Sequence, residues 1–211
     1  MSTSGISRST LQRLPTYLTY LKTLPEGGSP YISATNIAAA LGLGEVQVRK
    51  DLAAVTSGGK PKVGYVITDL IRELDQFLGY TDLSDAIIVG CGKLGRALLD
   101  YQGFSQYGLK LLAGFDNDPK AVGITEHGQK IFPMDKLGSF CSRNRVSLAI
   151  IAVPAAHAQE VCDLLVESGI RGILNMSAVH LTVPKGIAVS NENIAVSLAA
   201  LAAQVENHRR T

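Results

Sequence analysis

The sequence predicts an α/β protein in two parts: a basic N-terminal module of three short helices and a hairpin, then a doubly wound parallel sheet with a terminal helix. Three observations carry this. The 211 residues are 46% hydrophobic and 18% charged, with a mean hydropathy of +0.17, which suits two folded domains and excludes a disordered chain. Charge is divided unevenly, with seven Lys/Arg against three Asp/Glu in residues 1–64 and a net acidic remainder. Finally, an apolar strand, a glycine turn, a helix, a second strand and an acid follow one another between Ala86 and Asp116.

No apolar run reaches the roughly 18 residues a membrane span requires, and Met1 to Thr10 is Ser/Thr-rich with no apolar signal segment, so a soluble, cytoplasmic protein is expected. Cys91, Cys141 and Cys162 lack C-x-x-C spacing and a paired-His pattern, which predicts free thiols and no metal site.

In the first helix Leu11, Leu14, Leu18 and Leu21 recur at helical spacing, and Pro15 predicts that the regular helix begins close to it. The stretch Glu26-Gly27-Gly28-Ser29-Pro30 ends it. Ser33 is placed to cap a second helix with Ile37 and Leu41 on one face, broken by Gly42 and Gly44. From Glu45 to Val55 the apolar Val48, Leu52 and Val55 fall at i, i+4 and i+7. Gln47, Lys50 and Ala54 then take the opposite face, with Arg49 on its flank. Two short helices around a tight glycine turn describe a helix-turn-helix, whose second helix enters the major groove. There Gln reads adenine, and Arg or Lys reads guanine or grips phosphate. The basic turn Gly58 to Lys62 before a strand-like run, Val63 to Ile67, describes the wing of a winged-helix domain. A small helical module with a solvated basic face would show the same pattern.

Thr68 to Gly79 reads as a linking helix with Leu70, Leu74, Phe77 and Leu78 on one face. After Leu83 and Ser84, the strand Ala86 to Val89 runs into Gly90-Cys91-Gly92-Lys93-Leu94-Gly95, a helix through Leu98 and Leu99, and a strand Leu111 to Phe115 that ends at Asp116. This is the dinucleotide fingerprint in its full context, and it predicts a Rossmann-type sheet. The phosphates rest on the helix N-terminus, and Asp116 accepts the adenosine ribose hydroxyls. No Lys or Arg follows Asp116 directly, so NAD(H) is favoured over NADP(H). Further along come a strand Val146 to Val153, a helix Ala155 to Ser168 with Val161, Leu164 and Leu165 inward, and strands at Gly172 to Met176 and Ile187 to Ser190. Val153, Pro154, Asn175, Met176 and Ser177 stand at strand ends, where the nicotinamide side of a ligand is expected.

The last stretch reads as one small-residue helix with Leu198, Leu201 and Val205, not as a substrate domain. An oxidoreductase needs an acid or base near the hydride acceptor. Only His157 and His180 are candidates, since His127 lies in a glycine-flanked turn and His208 in a basic tail. Cys91, beside the phosphate site at a helix N-terminus, also admits a peroxide-sensing thiol. The expected boundaries are 1–80 for a DNA-binding domain with its linker helix, 81–192 for the cofactor domain and 193–211 for a final helix.

The chain resembles the Rex family of redox-sensing transcriptional repressors, homodimers with a winged-helix domain and an NAD(H)-binding domain. The resemblance rests on Ser9-Thr10-Leu11 with Arg13-Leu14-Pro15, on Gln47-Val48-Arg49-Lys50-Asp51-Leu52, and on Gly64-Tyr65. It continues through Gly90 to Gly95, Tyr101 with Gly103-Phe104, Asp116 with Asp118-Pro119, Val153-Pro154, and Gly172-Ile173-Leu174-Asn175. It implies a dimer that grips an AT-rich inverted repeat and is released when NADH binds, with the C-terminal helix exchanged between subunits. The expected DNA contacts are Arg13, Ser33, Gln47, Arg49, Lys50, Lys60 and Lys62. The expected cofactor contacts are Gly90 to Gly95, Tyr101, Asp116, Asn117, Val153, Pro154, Asn175, Met176 and Ser177. Several positions depart from the family pattern. Pro61 and Lys62 take the places of an Arg and a Gly in the wing, Val196 that of a Phe and Ala178 that of a Pro. Thr19 and Ala195 stand where the family carries an Arg and an Asp that form an ion bridge between its domains. The alternatives from residues alone are a small NAD(H)-dependent oxidoreductase with a basic appendage and a CoA-ligase-like nucleotide-binding subunit, the latter disfavoured by Asp116.

Overall fold

The computed structural model describes residues 6–25, 27–80 and 84–209. Glu26, the expected 80/81 boundary, Leu83, Met1 to Gly5 of the Ser/Thr-rich start and the side chain of His208 lie outside them. The chain divides into two compact units, Met1–Asp82 and Leu83–Thr211.

In the first unit, α1 spans Arg8–Lys22, β1 Tyr31–Ile32, α2 Ala34–Leu41, α3 Glu45–Ala53, β2 Tyr65–Val66 and α4 Ile67–Leu78. The start of α1 corrects the expectation drawn from Pro15. Ser7 caps the helix through the Thr10 amide, and Pro15 lies well inside it. Proline removes one backbone bond, but Thr10 and Arg13 in the turns before it are anchored by hydrogen bonds to Asp51 on α3. Ser33 caps α2, and Gly42 closes it in the left-handed region. The strand expected over Val63 to Ile67 shrinks to Tyr65–Val66, and its partner is β1, with Ile32 opposite Tyr65. The wing is a tight loop closed by an antiparallel bridge between Lys60 and Gly64. Lys62 has φ +64°, a left-handed conformation that favours glycine, at the place where the family pattern has one. Leu14, Tyr17, Leu18, Leu21, Ile37, Val48, Leu52, Leu70 and Leu74 form the core, so all four helices contribute to it.

The second unit holds β3 (Ser84–Val89), α5 (Lys93–Leu99), β4 (Leu109–Asp116), β5 (Gly123–Ile124), β6 (Lys130–Pro133), α6 (Leu137–Asn144), β7 (Leu148–Ile151), α7 (Ala158–Glu167), β8 (Gly172–Asn175), β9 (Ala188–Asn191) and α8 (Ile194–Arg209). The sheet order is β5-β6-β4-β3-β7-β8-β9, parallel except for the edge strand β5. Its strands bury both faces, as parallel sheets do. Ile87 and Val89 join Leu137, Cys141, Cys162 and Leu165 on one side, while Ala86 and Ile88 join Leu99 and Ile131 on the other. The order reverses between β3 and β7, which places a crevice at their carboxyl ends. In α7, Ala158, Cys162 and Leu165 turn inward at i, i+4 and i+7, so Leu164, expected inside, is 39% exposed. All three cysteines are free thiols and buried. Along α8, Ile194, Val196, Leu198, Leu201 and Val205 are all exposed.

Candidate functional site

A cavity of about 950 Å³ opens at the β3/β7 crevice, within the range of small-molecule sites. Gly90 makes its tight turn with φ +93°, and a Cβ there would lie 2.6 Å from the Ala152 carbonyl oxygen. A Cβ on Gly95 would run into the Gly90 carbonyl oxygen. Nothing lies within 4 Å of the Cβ position at Gly92, and no side chain caps α5, so the first helical amides stand open to an anion. These residues fit a dinucleotide pyrophosphate. Arg96 fastens the loop from behind by donating to the Cys91 and Ala121 carbonyls at 3.0 and 2.9 Å.

Asp116 ends β4 at the cavity. Its Oδ2 accepts from the Cys91 amide at 2.6 Å and its Oδ1 from the Asp118 amide at 2.8 Å, which orients the carboxylate before any ligand arrives. The fingerprint residues Gly90, Gly92, Lys93 and Leu94 line the cavity with Asp116, Asn117, Val153, Pro154 and Met176. Cys91, Gly95, Tyr101, Asn175 and Ser177 are not among the lining residues. Cys91 is 1% exposed, and burial, reinforced by the Asp116 charge, pushes its thiol up to about 11. That removes the basis for a peroxide sensor, because reactivity belongs to the thiolate. Asn175 is wholly buried, donating to the Val179 carbonyl and Asn191 Oδ1 and accepting from Ser177, so it ties the loop after β8 to β9. Tyr101 is 56% exposed and stacks edge-on with Phe104 at 5.2 Å.

The cavity also recruits Asp118, Met134, Asp135, His157, Glu160, Val161 and Leu164. Of these only His157 had been singled out as a possible acid or base. Met134 and Asp135 follow β6, and the apolar pair Ile131-Phe132 was the signal available for that strand. Facing Asp116, Asp118 and Asp135, a 2′-phosphate would meet concentrated negative charge. His180 is exposed and not among the lining residues, and His127 lies 3.3 Å from Asp100 Oδ2 in the turn near β5. Among the described residues no group of three or more His, Cys, Asp or Glu is arranged to hold a metal ion, and no helix is long and apolar enough to cross a membrane.

In the first unit, Gln47, Arg49, Lys50, Lys60 and Lys62 are exposed. Arg49 pairs with Glu45 one turn back on α3. Ser33 is engaged as a cap, accepting from the Asn36 amide at 3.0 Å. Arg13 does not project freely. Its Nε and Nη2 donate to Asp51 at 2.7 and 2.9 Å, and its side chain is 24% exposed. Asp51 also accepts from Thr10 Oγ1 at 2.9 Å and from the Tyr17 hydroxyl at 2.8 Å. Burial opposes Asp51 ionisation, but these bonds, Arg13's first, prevail and hold its carboxyl below the usual range. Tyr17 is pushed up to about 12 by burial and by its bond to Asp51.

Residues 5–53 match the family described as "Putative DNA-binding protein N-terminus" and residues 81–179 the family described as "CoA binding domain". Over nearly the full length the chain is similar to proteins named "Redox-sensing transcriptional repressor Rex". The Desulfitobacterium hafniense protein is 37% identical over 209 residues, covering 99% of this chain and 100% of its own. The Porphyromonas gingivalis protein is 36% identical over 196 residues, with 93% and 90% covered. Among solved structures, RSP with beta-NAD+ and operator DNA superposes with a TM-score of 0.90 at 28% identity, covering 98% of this chain and 95% of that one. RSP with beta-NADH gives a TM-score of 0.86 at 27% identity, covering 98% and 97%.

Proposed function

Because the chain belongs to the Rex family of redox-sensing transcriptional repressors, we propose that it is a homodimeric regulator that binds an inverted-repeat operator and releases it when NADH binds. One observation carries the reading. A single chain presents an exposed face of α3 carrying Gln47, Arg49 and Lys50, and a cavity whose oriented Asp116 carboxylate suits an adenosine ribose. Asp116 accepts the ribose hydroxyls, the Gly90 to Gly95 loop receives the phosphates, and Val153, Pro154 and Met176 border the nicotinamide end. Asn175 and Ser177 serve that end indirectly by fixing the loop after β8. Gln47, Arg49 and Lys50 meet the major groove and Lys60 and Lys62 the phosphates beside it. Ser33 acts through the cap of α2.

The exposed apolar residues of α8 supply the dimer contact, covered by a second copy. We infer a regulator rather than an enzyme from the full-length relatives named redox-sensing transcriptional repressors. NADH shifts the DNA affinity only through unequal affinity for the bound and released states.

The deciding experiment measures binding of inverted-repeat duplexes by fluorescence anisotropy, alone and with NADH or NAD+. Release by NADH at concentrations where NAD+ leaves the complex intact is the expected result. DNA binding indifferent to both nucleotides, with NADH consumption on added carbonyl substrates, would point instead to the oxidoreductase.

A further inference from the structure

Gln47 sits on the exposed face of α3 beside Arg13 of α1. A guanidinium carries only N–H donors, so of the two ends of the Gln47 amide the oxygen alone suits it. With the oxygen so placed, Oε1 accepts from Arg13 Nη1 at 3.0 Å, the single Nε hydrogen being already given to Asp51. Arg13 in turn cannot swing away, because Asp51 grips Nε and Nη2, and Asp51 is 4% exposed and held again by Tyr17 and Thr10. A chain of contacts from the core thus fixes which way an exposed amide points.

We propose that Gln47 reads the operator as a donor only, through its NH2 group, and selects guanine. This rests on the assignment of α3 as the recognition helix. The familiar pairing of glutamine with adenine needs both ends of the amide, the oxygen to accept from N6 and the nitrogen to donate to N7. Here Oε1 is committed to Arg13 Nη1. What remains is a pair of donors, which matches the adjacent N7 and O6 acceptors of guanine. Adenine sets its N6 donor against that NH2 group, and cytosine offers only a donor at N4. Arg13 is then a positioning residue whose charge is spent on Asp51 and whose Nη1 sets the polarity of Gln47.

The test is selection from a pool of random duplexes by the full-length protein without nucleotide, repeated with Gln47→Ala, Gln47→Glu and the double variant Arg13→Met with Asp51→Asn. The double variant removes the charge pair together, so no buried charge is left alone. In the wild type, one position per half-site enriches guanine, and that preference disappears in Gln47→Ala. The double variant, with its amide free to turn, admits adenine there as well. Gln47→Glu exchanges donors for acceptors on an exposed side chain and abolishes the guanine preference whether or not the double variant folds. Replacing that guanine by 7-deazaguanine lowers wild-type affinity about fivefold or more, the low end for a bidentate base contact, and leaves Gln47→Ala unaffected. Adenine enriched by the wild type at the Gln47-dependent position overturns the proposal, as does a selected sequence that Gln47→Ala leaves unchanged. If the wild type enriches no duplex at all, the regulator assignment itself fails.

Discussion

Replacing Asp51 by alanine should loosen the whole first unit more than any change on its surface. The carboxylate accepts four hydrogen bonds, two from Arg13 and one each from Thr10 and Tyr17. Asp51→Ala leaves the Tyr17 hydroxyl without an acceptor in a residue that is 0% exposed, and leaves a guanidinium with its charge unmatched. Removing one partner of a buried pair costs about 3–5 kcal/mol. Arg13 keeps 24% exposure and can turn toward water, which puts the loss at the low end, about 3 kcal/mol. That corresponds to roughly a hundredfold greater population of the opened unit. Amide hydrogen exchange on the full-length protein reads it directly: the Val48 and Leu52 amides of α3 should exchange about a hundredfold faster, while those of β3 and β7 in the other unit stay unchanged. The folded carboxyl titrates below its unfolded value of about 3.9, so its contribution is complete above about pH 4 and is lost as the pH falls through the folded pKa. The gap between variant and wild type should therefore narrow on acidification. Exchange at Val48 and Leu52 within threefold of wild type at pH 7 would show that Asp51 does not hold the helices together.

Lys50→Ala should weaken operator binding about equally on all sequences and reduce the salt dependence by about one counterion, whereas Arg49→Ala, if Arg49 reads a base, should cost roughly 1–3 kcal/mol at one base pair; both proteins should melt like the wild type, and unchanged affinity in both would remove α3 from the interface. Asp116→Ala should lower NAD(H) affinity and narrow the preference over NADP(H), since the ribose loses its acceptor and the Cys91 and Asp118 amides lose theirs; calorimetry decides it, and a wild type preferring NADPH would refute the assignment. Cys91 should resist alkylation in the folded protein below about pH 9, because the thiol stays protonated until its pKa of about 11 is approached; rapid labelling at pH 7, read by peptide mass, would contradict its burial.

The glycine turn was legible because its demands are local: a positive φ at Gly90 and a contact at Gly95 too close for a side chain leave their mark as residue type at fixed spacing. The caps at Ser33, Gly42 and Gly79 were readable for the same reason. Between Asp116 and Val146 the chain was silent. β5 has two residues and β6 four, too few to show a period, and α6 is only eight residues long. Two of the cavity residues, Met134 and Asp135, were missed with them. Asn175 and Ser177 illustrate a different limit. Position at the end of a strand shows that a residue is near the crevice, but not that its side chain points inward to a hydrogen-bond network. Pro15 misled because a local rule about helix starts was outweighed by contacts from α3, some 38 residues away in the chain.

The last helix carries its own consequence. A sixteen-residue helix whose apolar side chains face water lacks the packing from which helices draw most of their stability. If a second copy covers its apolar side chains, as proposed above, order in this segment becomes a matter of mass action. Diluting the protein should fray the helix and lower the melting temperature. In a cell, the number of copies present would set how many are assembled at all, so that a regulator of this kind answers to its own abundance as well as to its ligand.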